Sequence, residues 1–407
     1  MRQPQPSEQH LREIHRASED IVRTTPVLSA RSLSERCGGR ISLKAENLQR
    51  TGSFKLRGAL AKLRSLERPG GVVTGSAGNH AQALAYAARQ AGIGCEVFMP
   101  NDASLSKLAA VTAFGATVIQ EAEAVDDCVA MALERAASSD FEFVHPFDDP
   151  VIVEGQAGLG IELLDQVPDL AKVIVSVGGG GLASGTCLAL KAERDGVEVV
   201  GVQAEACAGF ADLLDDAGSR PLKAGATIAD GIAVKRPGEL TRSVLERLLD
   251  RMVSVTEEQI AQAMVVLTER SKLVVEGAGA APLAALLSGA VEPAAHGTTV
   301  AVLSGGNVDP GLLASIVTRS ETSAGRRLRL ATKIPDRPGG LAELLSEIAD
   351  AGANLIAVEH VREGIDLALR ETAVELTLET KGPQHAERIT ARLGESYDVR
   401  VEVTPLA

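Results

Sequence analysis

Short apolar runs alternate with stretches of helical periodicity from about Val72 to Asn307. Gly71–Ser76 predicts a strand, and His80–Gly92 an Ala-rich helix closed by its glycine. Cys95–Pro100 predicts a second strand and Ser104–Phe114 a second helix. Further Val- and Ile-rich strands are expected at Thr117–Gln120, Val173–Val177, Val197–Glu205 and Thr298–Gly306. Strands that read as continuous apolar runs are buried on both faces, so their alternation with helices predicts an open parallel sheet.

The pattern changes near Ser320. Residues 320–327 are small and polar, as a linker is. Beyond them, Arg327–Ile334 alternates as a strand and Gly340–Ala351 has a helical period. Asn354–Arg362 and Arg370–Glu379 read as strands, Pro383–Leu393 as a helix and Tyr397–Thr404 as a last strand. The order βαββαβ is the ferredoxin-like arrangement.

Composition narrows the function classes. The 407 residues suffice for two or three structural units. Aromatic residues are only 2% and Trp is absent, so aliphatic residues must fill the core. A net charge of −13 argues against nucleic acid or an anionic membrane as partner, since both need a surplus of Lys and Arg. Val173–Leu190 is uncharged, but its glycines make it strand, loop and helix rather than a membrane span. Cys37, Cys95, Cys128, Cys187 and Cys207 are scattered and odd in number, which points to a reducing, cytoplasmic compartment. The first ten residues carry no apolar run of the kind a secretory signal needs.

Four segments carry candidate chemistry. In Lys44–Ala59 (KAENLQRTGSFKLRGA), a tight turn, Thr51–Phe54, delivers Lys55 to a helix start. A lysine becomes nucleophilic only when a dry or electropositive setting lowers its pKa. A lone lysine is most often a solvated surface residue. In Ser76–Gln82 (SAGNHAQ), a strand end meets a helix N-terminus, a setting that suits a carboxylate. The plainer reading is a helix cap, with Asn79 as N-cap and His80 structural. In Ser176–Gly185 (SVGGGGLASG), four consecutive glycines between strand and helix form a backbone nest for phosphate. Gly178–Ala183 also satisfies the loose GxGxxA dinucleotide pattern, with Glu205 downstream, so the loop alone does not say which phosphate. In Leu303–Asn307 (LSGGN), Ser304 offers a hydroxyl to a heterocycle nitrogen, or simply opens a turn. A fifth segment, Thr227–Val234 (TIADGIAV), gains no role from spacing.

Taken in order, RTTPV, KAENLQRTGSFKLRGA, SAGNHAQ, HPFDDP, SVGGGGLASG, TIADGIAV, EGAGA and LSGGN resemble the fold type II family of pyridoxal-phosphate enzymes, and within it the threonine dehydratases. The resemblance spans roughly Arg23–Asn307. It implies an α/β fold of two open twisted sheets flanked by helices, in a catalytic domain over residues 1–319 with a smaller subdomain at about 50–150. It implies that Lys55 carries the cofactor and acts as base on the substrate Cα, with Phe54 beside the ring and Asn79 on its 3-hydroxyl. Gly178, Gly179, Gly180, Gly181 and Leu182 would hold the phosphate, and Ser304 would face the pyridine nitrogen. Ser76, Ala77, Gly78, Asn79 and His80 would line the substrate site. The implied activity is conversion of L-threonine to 2-oxobutanoate and ammonia, the opening step of isoleucine synthesis. L-Serine or 3-hydroxyaspartate is the alternative substrate. Related serine racemases carry a Ser where this chain has Ala77, which implies elimination rather than racemisation. Some relatives hold a cation near the position of Glu205 with a carboxylate six residues on, but Ala211 stands there, so no metal site is expected.

Residues 328–407 resemble an ACT domain, a small-molecule regulatory module, through Pro335–Leu355. That implies an amino-acid effector, isoleucine or valine, held by Asp336, Arg337, Gly339, Gly340, Leu341 and Asn354, in a homodimer or homotetramer. Two rival readings make other demands. A nucleotide-dependent oxidoreductase leaves the Lys55 segment without a purpose, and a non-catalytic amino-acid sensor predicts loss of the lysine or the glycine loop.

Overall fold

The computed structural model describes residues 6–67, 69–210, 225–234, 237–362 and 367–401. The chain divides into two compact units, Met1–Asp309 and Pro310–Ala407.

The larger unit opens with helix α1 (Glu8–Ser18), strand β1 (Val27–Ser29), α2 (Arg31–Cys37) and β2 (Ile41–Ala45). It continues with α3 (Lys55–Ser65), β3 (Gly71–Gly75), α4 (Asn79–Ala91), β4 (Gly94–Pro100), α5 (Leu105–Ala113), β5 (Thr117–Ala122), α6 (Val125–Ala137) and β6 (Phe141–Phe143). Then come α7 (Pro150–Gln166), β7 (Leu170–Ser176), α8 (Gly181–Glu193), β8 (Glu198–Ala204), α9 (Glu239–Leu248), β9 (Arg251–Val255), α10 (Glu257–Val266), α11 (Gly277–Leu287) and β10 (Thr298–Leu303).

The parallel strands expected from the pattern form the two open sheets that the resemblance implied. β5-β4-β3-β6 is wholly parallel. β1-β2-β10-β7-β8-β9 is parallel except for β1, which runs antiparallel to β2. Alternation of strand and helix is the same in both, so it cannot reveal that the chain leaves the large sheet after β2 and returns at β7. Each sheet has its own aliphatic core. Val173, Val175, Val199, Val300 and Val302 lie in one, and Leu60, Val72, Leu84, Val97 and Met99 in the other. The alanines of α4 (Ala81, Ala83, Ala85, Ala87, Ala88) are buried, taking the place of the missing aromatics. In open α/β sheets ligands bind beyond the carboxyl ends of parallel strands. The loops after β2, β3, β7 and β10 are those that carry the candidate residues.

The smaller unit begins with α12 (Pro310–Ser323) and β11 (Arg327–Pro335), followed by α13 (Gly340–Asp350), β12 (Asn354–Val361), β13 (Glu371–Glu379), α14 (Pro383–Gly394) and β14 (Arg400–Val401). Its antiparallel sheet has the order β12-β13-β11-β14. Period-2 alternation buries Leu328, Leu330 and Ile334 with Val374, Leu376 and Leu378, under Leu344 and Ile348 of α13 and Ile389 and Leu393 of α14. The linker is shorter than expected. Ser320–Ser323 complete α12, whose end is closed by the Arg326–Glu321 ion pair at 2.6 Å. Polar residues with such a pair propagate a helix as readily as they form a linker. The last strand starts later than expected: among the described residues Arg400–Val401 pair with β11, and residues 402–407 lie outside the described ones.

Candidate functional site

Lys55 is the first residue of α3, and backbone pairing puts it there. Phe54 N donates to Ser304 O (3.0 Å) and Gly306 N donates to Gly52 O (2.9 Å), so the end of β10 lies beside the turn before the lysine. Gly52 takes φ +74°, a left-handed conformation that suits glycine. Behind the helix start lies a fully buried ionic network. The Arg57 guanidinium grips Glu46 through Nε and Nη2 (2.8 Å each) and Glu162 through Nη1 (2.7 Å). Lys44 Nζ reaches Glu162 (2.5 Å), Thr25 O and Gln166 Oε1 (2.8 Å each). Two cations meet two carboxylates, and each nitrogen of the guanidinium has a partner. Burial opposes charge at Arg57, and Glu46 and Glu162 overcome it and keep it protonated.

Lys55 Nζ donates to Pro146 O at 2.7 Å and lies 5.2 Å from the centre of the Phe54 ring. Burial lowers its pKa to about 8, with Glu276 pulling the other way. The amine therefore loses its proton at a far lower pH than an ordinary lysine and is largely neutral above about pH 8, as a covalent nucleophile requires. The segment His145–Asp149 ties it to the glycine loop. His145 Nδ1 accepts from Phe147 N (3.2 Å) and Asp148 N (2.7 Å), which holds the turn. The side chain of Asp148 takes Glu239 N and Thr241 N at the start of α9, and Asp149 caps α7. Phe147 packs on Gly179, where a Cβ would overlap its ring.

The glycine loop links β7 to α8. Gly180 has φ +91°, and a Cβ there would sit 2.8 Å from that of Thr241. One on Gly178 would sit 2.8 Å from Ile232 Cα. Thr241 Oγ1 donates to Gly179 O (2.7 Å), so carbonyls are satisfied on one side while the amides lead into the N-terminus of α8. A backbone free of side chains at a helix start fits a phosphate. Leu182 buries its side chain in the core of the large sheet, so only its backbone faces the loop.

Asn79 is not an N-cap. Gly78 is, and its cap position makes no side-chain bond. Asn79 turns its amide outward from the helix instead. Nδ2 donates to Glu276 Oε1 (2.7 Å), and Oδ1 accepts from Asn307 Nδ2 (2.7 Å). Ser76 Oγ accepts from Gly78 N (3.4 Å), and Ala77 packs against the core of the small sheet. The His80 imidazole points inward and donates from Nε2 to Val144 O (3.1 Å). Burial, helped by Lys55, lowers its pKa to about 3, so it is neutral, and its backbone is what remains for the site. Ser304 is buried beside the lysine turn.

Several members of this site were not assigned by sequence: Glu276, Asn307, Pro146, Phe147 and Thr241. HPFDDP and EGAGA stood in the ordered set, yet spacing gave them no chemistry, and LSGGN was read for Ser304 and not for Asn307. Burial raises the Glu276 carboxyl to about 7, with Asp230 adding to the effect. The TIADGIAV segment now has a place. Ile232 lies against Gly178, Gly231 backs Glu276, and Asp230 pairs with Lys107 at 2.5 Å. Glu205 opens a short turn after β8, while Ala211 lies outside the described residues.

In the smaller unit a cavity of about 340 Å³ is lined by Asp336, Arg337, Gly339 and Leu341, with His360 and Thr372 added by the strands and Arg362 just beyond β12. Gly340 begins α13 beside it. Arg362 pairs with Asp336 (3.1 Å) and Arg337 with Glu343 (2.9 Å). Asn354 does not line this cavity within one copy of the unit. It pairs with Glu379 at the end of the sheet where β11 starts, whereas the cavity lies where β11 ends.

A buried lysine of lowered basicity, joined through one short segment to a glycine-lined anion cradle in a two-sheet α/β unit, defines an enzyme that holds a phosphorylated carbonyl cofactor. The chain belongs to the family of pyridoxal-phosphate-dependent enzymes, which matches residues 19–305. Its cofactor is pyridoxal 5′-phosphate. An L-threonine ammonia-lyase of Thermotoga maritima is 41% identical over 396 residues, 96% of this chain and 98% of that protein. The crystal structure of a T.th. threonine deaminase superposes with a TM-score of 0.70 at 39% identity, covering 75% of this chain and 99% of that one. Serine racemase from Dictyostelium discoideum superposes at 0.69 and 34%, covering 75% and 100%. Among the described residues no helix is long and apolar enough to cross a membrane.

The Lys55 setting predicts how the apoprotein takes up its cofactor. The neutral amine is the reactive form, so the capture rate, followed by visible absorbance, should rise several-fold between roughly pH 7 and pH 8 and level off above about pH 9. A rate still climbing tenfold per unit at pH 9 would mean that the amine keeps its ordinary pKa.

Proposed function

We propose that this protein is a threonine ammonia-lyase that converts L-threonine to 2-oxobutanoate and ammonia. The observation that carries the reading is Lys55, with its buried amine 2.7 Å from Pro146 O and one residue away from the ring that packs on the phosphate cradle. When bound, pyridoxal phosphate supplies the electron sink that makes the substrate Cα–H acidic. Gly178–Gly181 hold its phosphate, Asn79 meets its 3-hydroxyl, Phe54 packs beside the ring, and Ser304 gives the ring nitrogen a neutral partner. A hydroxyl there leaves the nitrogen largely unprotonated, which favours β-elimination over transamination. Ser76, Gly78 and the first amides of α4 receive the substrate carboxylate. Lys55 Nζ removes the Cα proton as the β-hydroxyl departs with a proton. The elimination releases one water, and hydrolysis of the resulting enamine-imine consumes one water and releases ammonia.

Ala77 supports elimination over racemisation, because it offers no acid or base on the face opposite Lys55. The test is to add L-threonine, L-serine and 3-hydroxyaspartate separately to the holoenzyme and measure 2-oxo acid. Threonine should give the highest kcat/KM. A higher value with either of the others would overturn the substrate assignment, and no 2-oxo acid with any would overturn the reaction. Ala77→Ser should raise racemisation of L-serine above the wild-type background, as read by chiral chromatography.

The smaller unit reads as an ACT-type regulatory domain, and its cavity beside Asp336, Arg337, Gly339 and Leu341 as the site for an effector carboxylate and apolar side chain. The Thermotoga relative matches across nearly all of this chain, so the likeness reaches this unit too. Isoleucine or valine is the expected effector, which fits feedback on the opening step of isoleucine synthesis in a cytoplasmic homodimer or homotetramer. Five free cysteines fit a reducing compartment. Isothermal titration with Ile, Val, Leu and Thr should give heat with Ile or Val, and Arg362→Ala should weaken it about tenfold, the loss of one charge-assisted hydrogen bond. No heat and no kinetic change with any of the four would leave the unit without a regulatory role.

A further inference from the structure

The Asn79 amide is held by a chain of hydrogen bonds with no ambiguity of direction. It starts at Thr51 O, a backbone carbonyl that can only accept, and Asn307 Nδ2 donates to it at 2.8 Å. Asn307 therefore presents N–H, not oxygen, to this side, and Asn79 must answer with Oδ1 (2.7 Å). Nδ2 of Asn79 then faces Glu276 Oε1 (2.7 Å). Each link fixes the next, so the amide has one orientation. One Nδ2 hydrogen is used on Glu276, and the other has no partner among the described residues. The surroundings fit the same purpose. A Cβ on Gly305 would collide with Glu276 Oε1 and lie 3.2 Å from Asn79 Nδ2, while Glu276 N donates to Gly305 O (3.1 Å). Gly231 lies on the other side, its notional Cβ 3.4 Å from Glu276 Oε1.

We propose that Glu276 and Asn307 are positioning residues that lock the Asn79 amide with its free N–H available to the cofactor. The proposal rests on the reading of Asn79 as the contact for the ring 3-hydroxyl. Without Asn307 as donor, or Glu276 as acceptor, the amide can turn over and offer a carbonyl oxygen in place of N–H. Neither residue needs to touch substrate for this.

The experiment is cofactor titration. Apoproteins of the wild type and of Asn307→Asp, Glu276→Leu, Glu276→Gln and Asn79→Ala are titrated with pyridoxal phosphate and followed by visible absorbance, since the chain has no Trp to report binding. Asn307→Asp cannot donate to Asn79 and should weaken binding about tenfold, with a shifted absorbance maximum, the effect of one misdirected hydrogen bond. Glu276→Leu should match it. Glu276→Gln still accepts from Asn79 and should stay within about threefold of wild type. Thermal melting of the apoproteins separates lost folding from lost positioning. If Asn307→Asp melts far below wild type, the uncharged Asn307→Ser takes its place with the same expectation. Wild-type affinity and spectrum in both Asn307→Asp and Glu276→Leu, with Asn79→Ala impaired, would defeat the positioning role and leave the cofactor contact standing. Wild-type affinity in Asn79→Ala would defeat the cofactor contact itself.

Discussion

Lys55→Ala is expected to reduce 2-oxo acid formation from L-threonine by at least about a thousandfold, because in the proposed function one residue serves as both covalent anchor and Cα base. The visible absorbance of the lysine-bound cofactor should vanish with it. Folding should survive. Burial disfavours the charged amine and lowers its pKa to about 8, so truncation removes a desolvated cation and loses one hydrogen bond, to Pro146 O. The pH dependence separates the two roles. In the unfolded chain this lysine titrates near its ordinary value of about 10.4, so between roughly pH 8 and pH 10.4 the unfolded state binds more protons. Wild-type apoprotein should gain stability relative to Lys55→Ala as pH rises through that window. Retained turnover in Lys55→Ala would show that another lysine carries the cofactor, and a melting temperature that falls sharply would show that Lys55 is structural.

Arg57→Leu should destabilise the catalytic unit by about 3–5 kcal/mol, measured by chemical denaturation of the apoprotein. The cost is not the worth of the ion pair itself. Removing the guanidinium leaves Glu46 without its bidentate partner and Glu162 with Lys44 and the Thr25 N–H, both carboxylates fully buried. Arg57→Lys keeps the charge but not the fork, and should fall between wild type and Arg57→Leu. By contrast, breaking the exposed Arg64–Asp20 pair on the same helix should leave the denaturation midpoint unchanged. Because Arg57 lies one half-turn beyond Lys55, loosening the network should also weaken cofactor retention. A loss below about 1 kcal/mol in Arg57→Leu would mean that water or a neighbouring cation replaces the guanidinium.

Much of the local structure was legible. The Gly71–Gly75 and Glu198–Ala204 strands, the helix closed at Gly92 and the βαββαβ order all follow from periodicity and from glycine at the turn. Those signals are carried within a few residues. The helix-cap reading of Asn79 failed because a cap is also a local inference, whereas the partners of Asn79 are 197 and 228 residues away. The resemblance grouped Asn354 with Asp336, whereas antiparallel pairing puts them at opposite ends of the sheet. The polar stretch at Ser320 joined α12 for a like reason. Composition alone does not separate a linker from a solvated helix end.

By itself the sequence determined that Lys55 follows a tight turn and that four glycines lie between a strand and a helix. These are chemical properties of residues and of short spans. Only the tertiary structure decided that Pro146 and Phe147 join the lysine to the glycine loop, that Glu276 and Asn307 hydrogen-bond to Asn79, and that Arg57 sits between two buried carboxylates. A lysine's pKa and an amide's orientation depend on burial and on partners brought from distant strands. Lys55 is a suspicious residue in the sequence and a reactive one only in the fold.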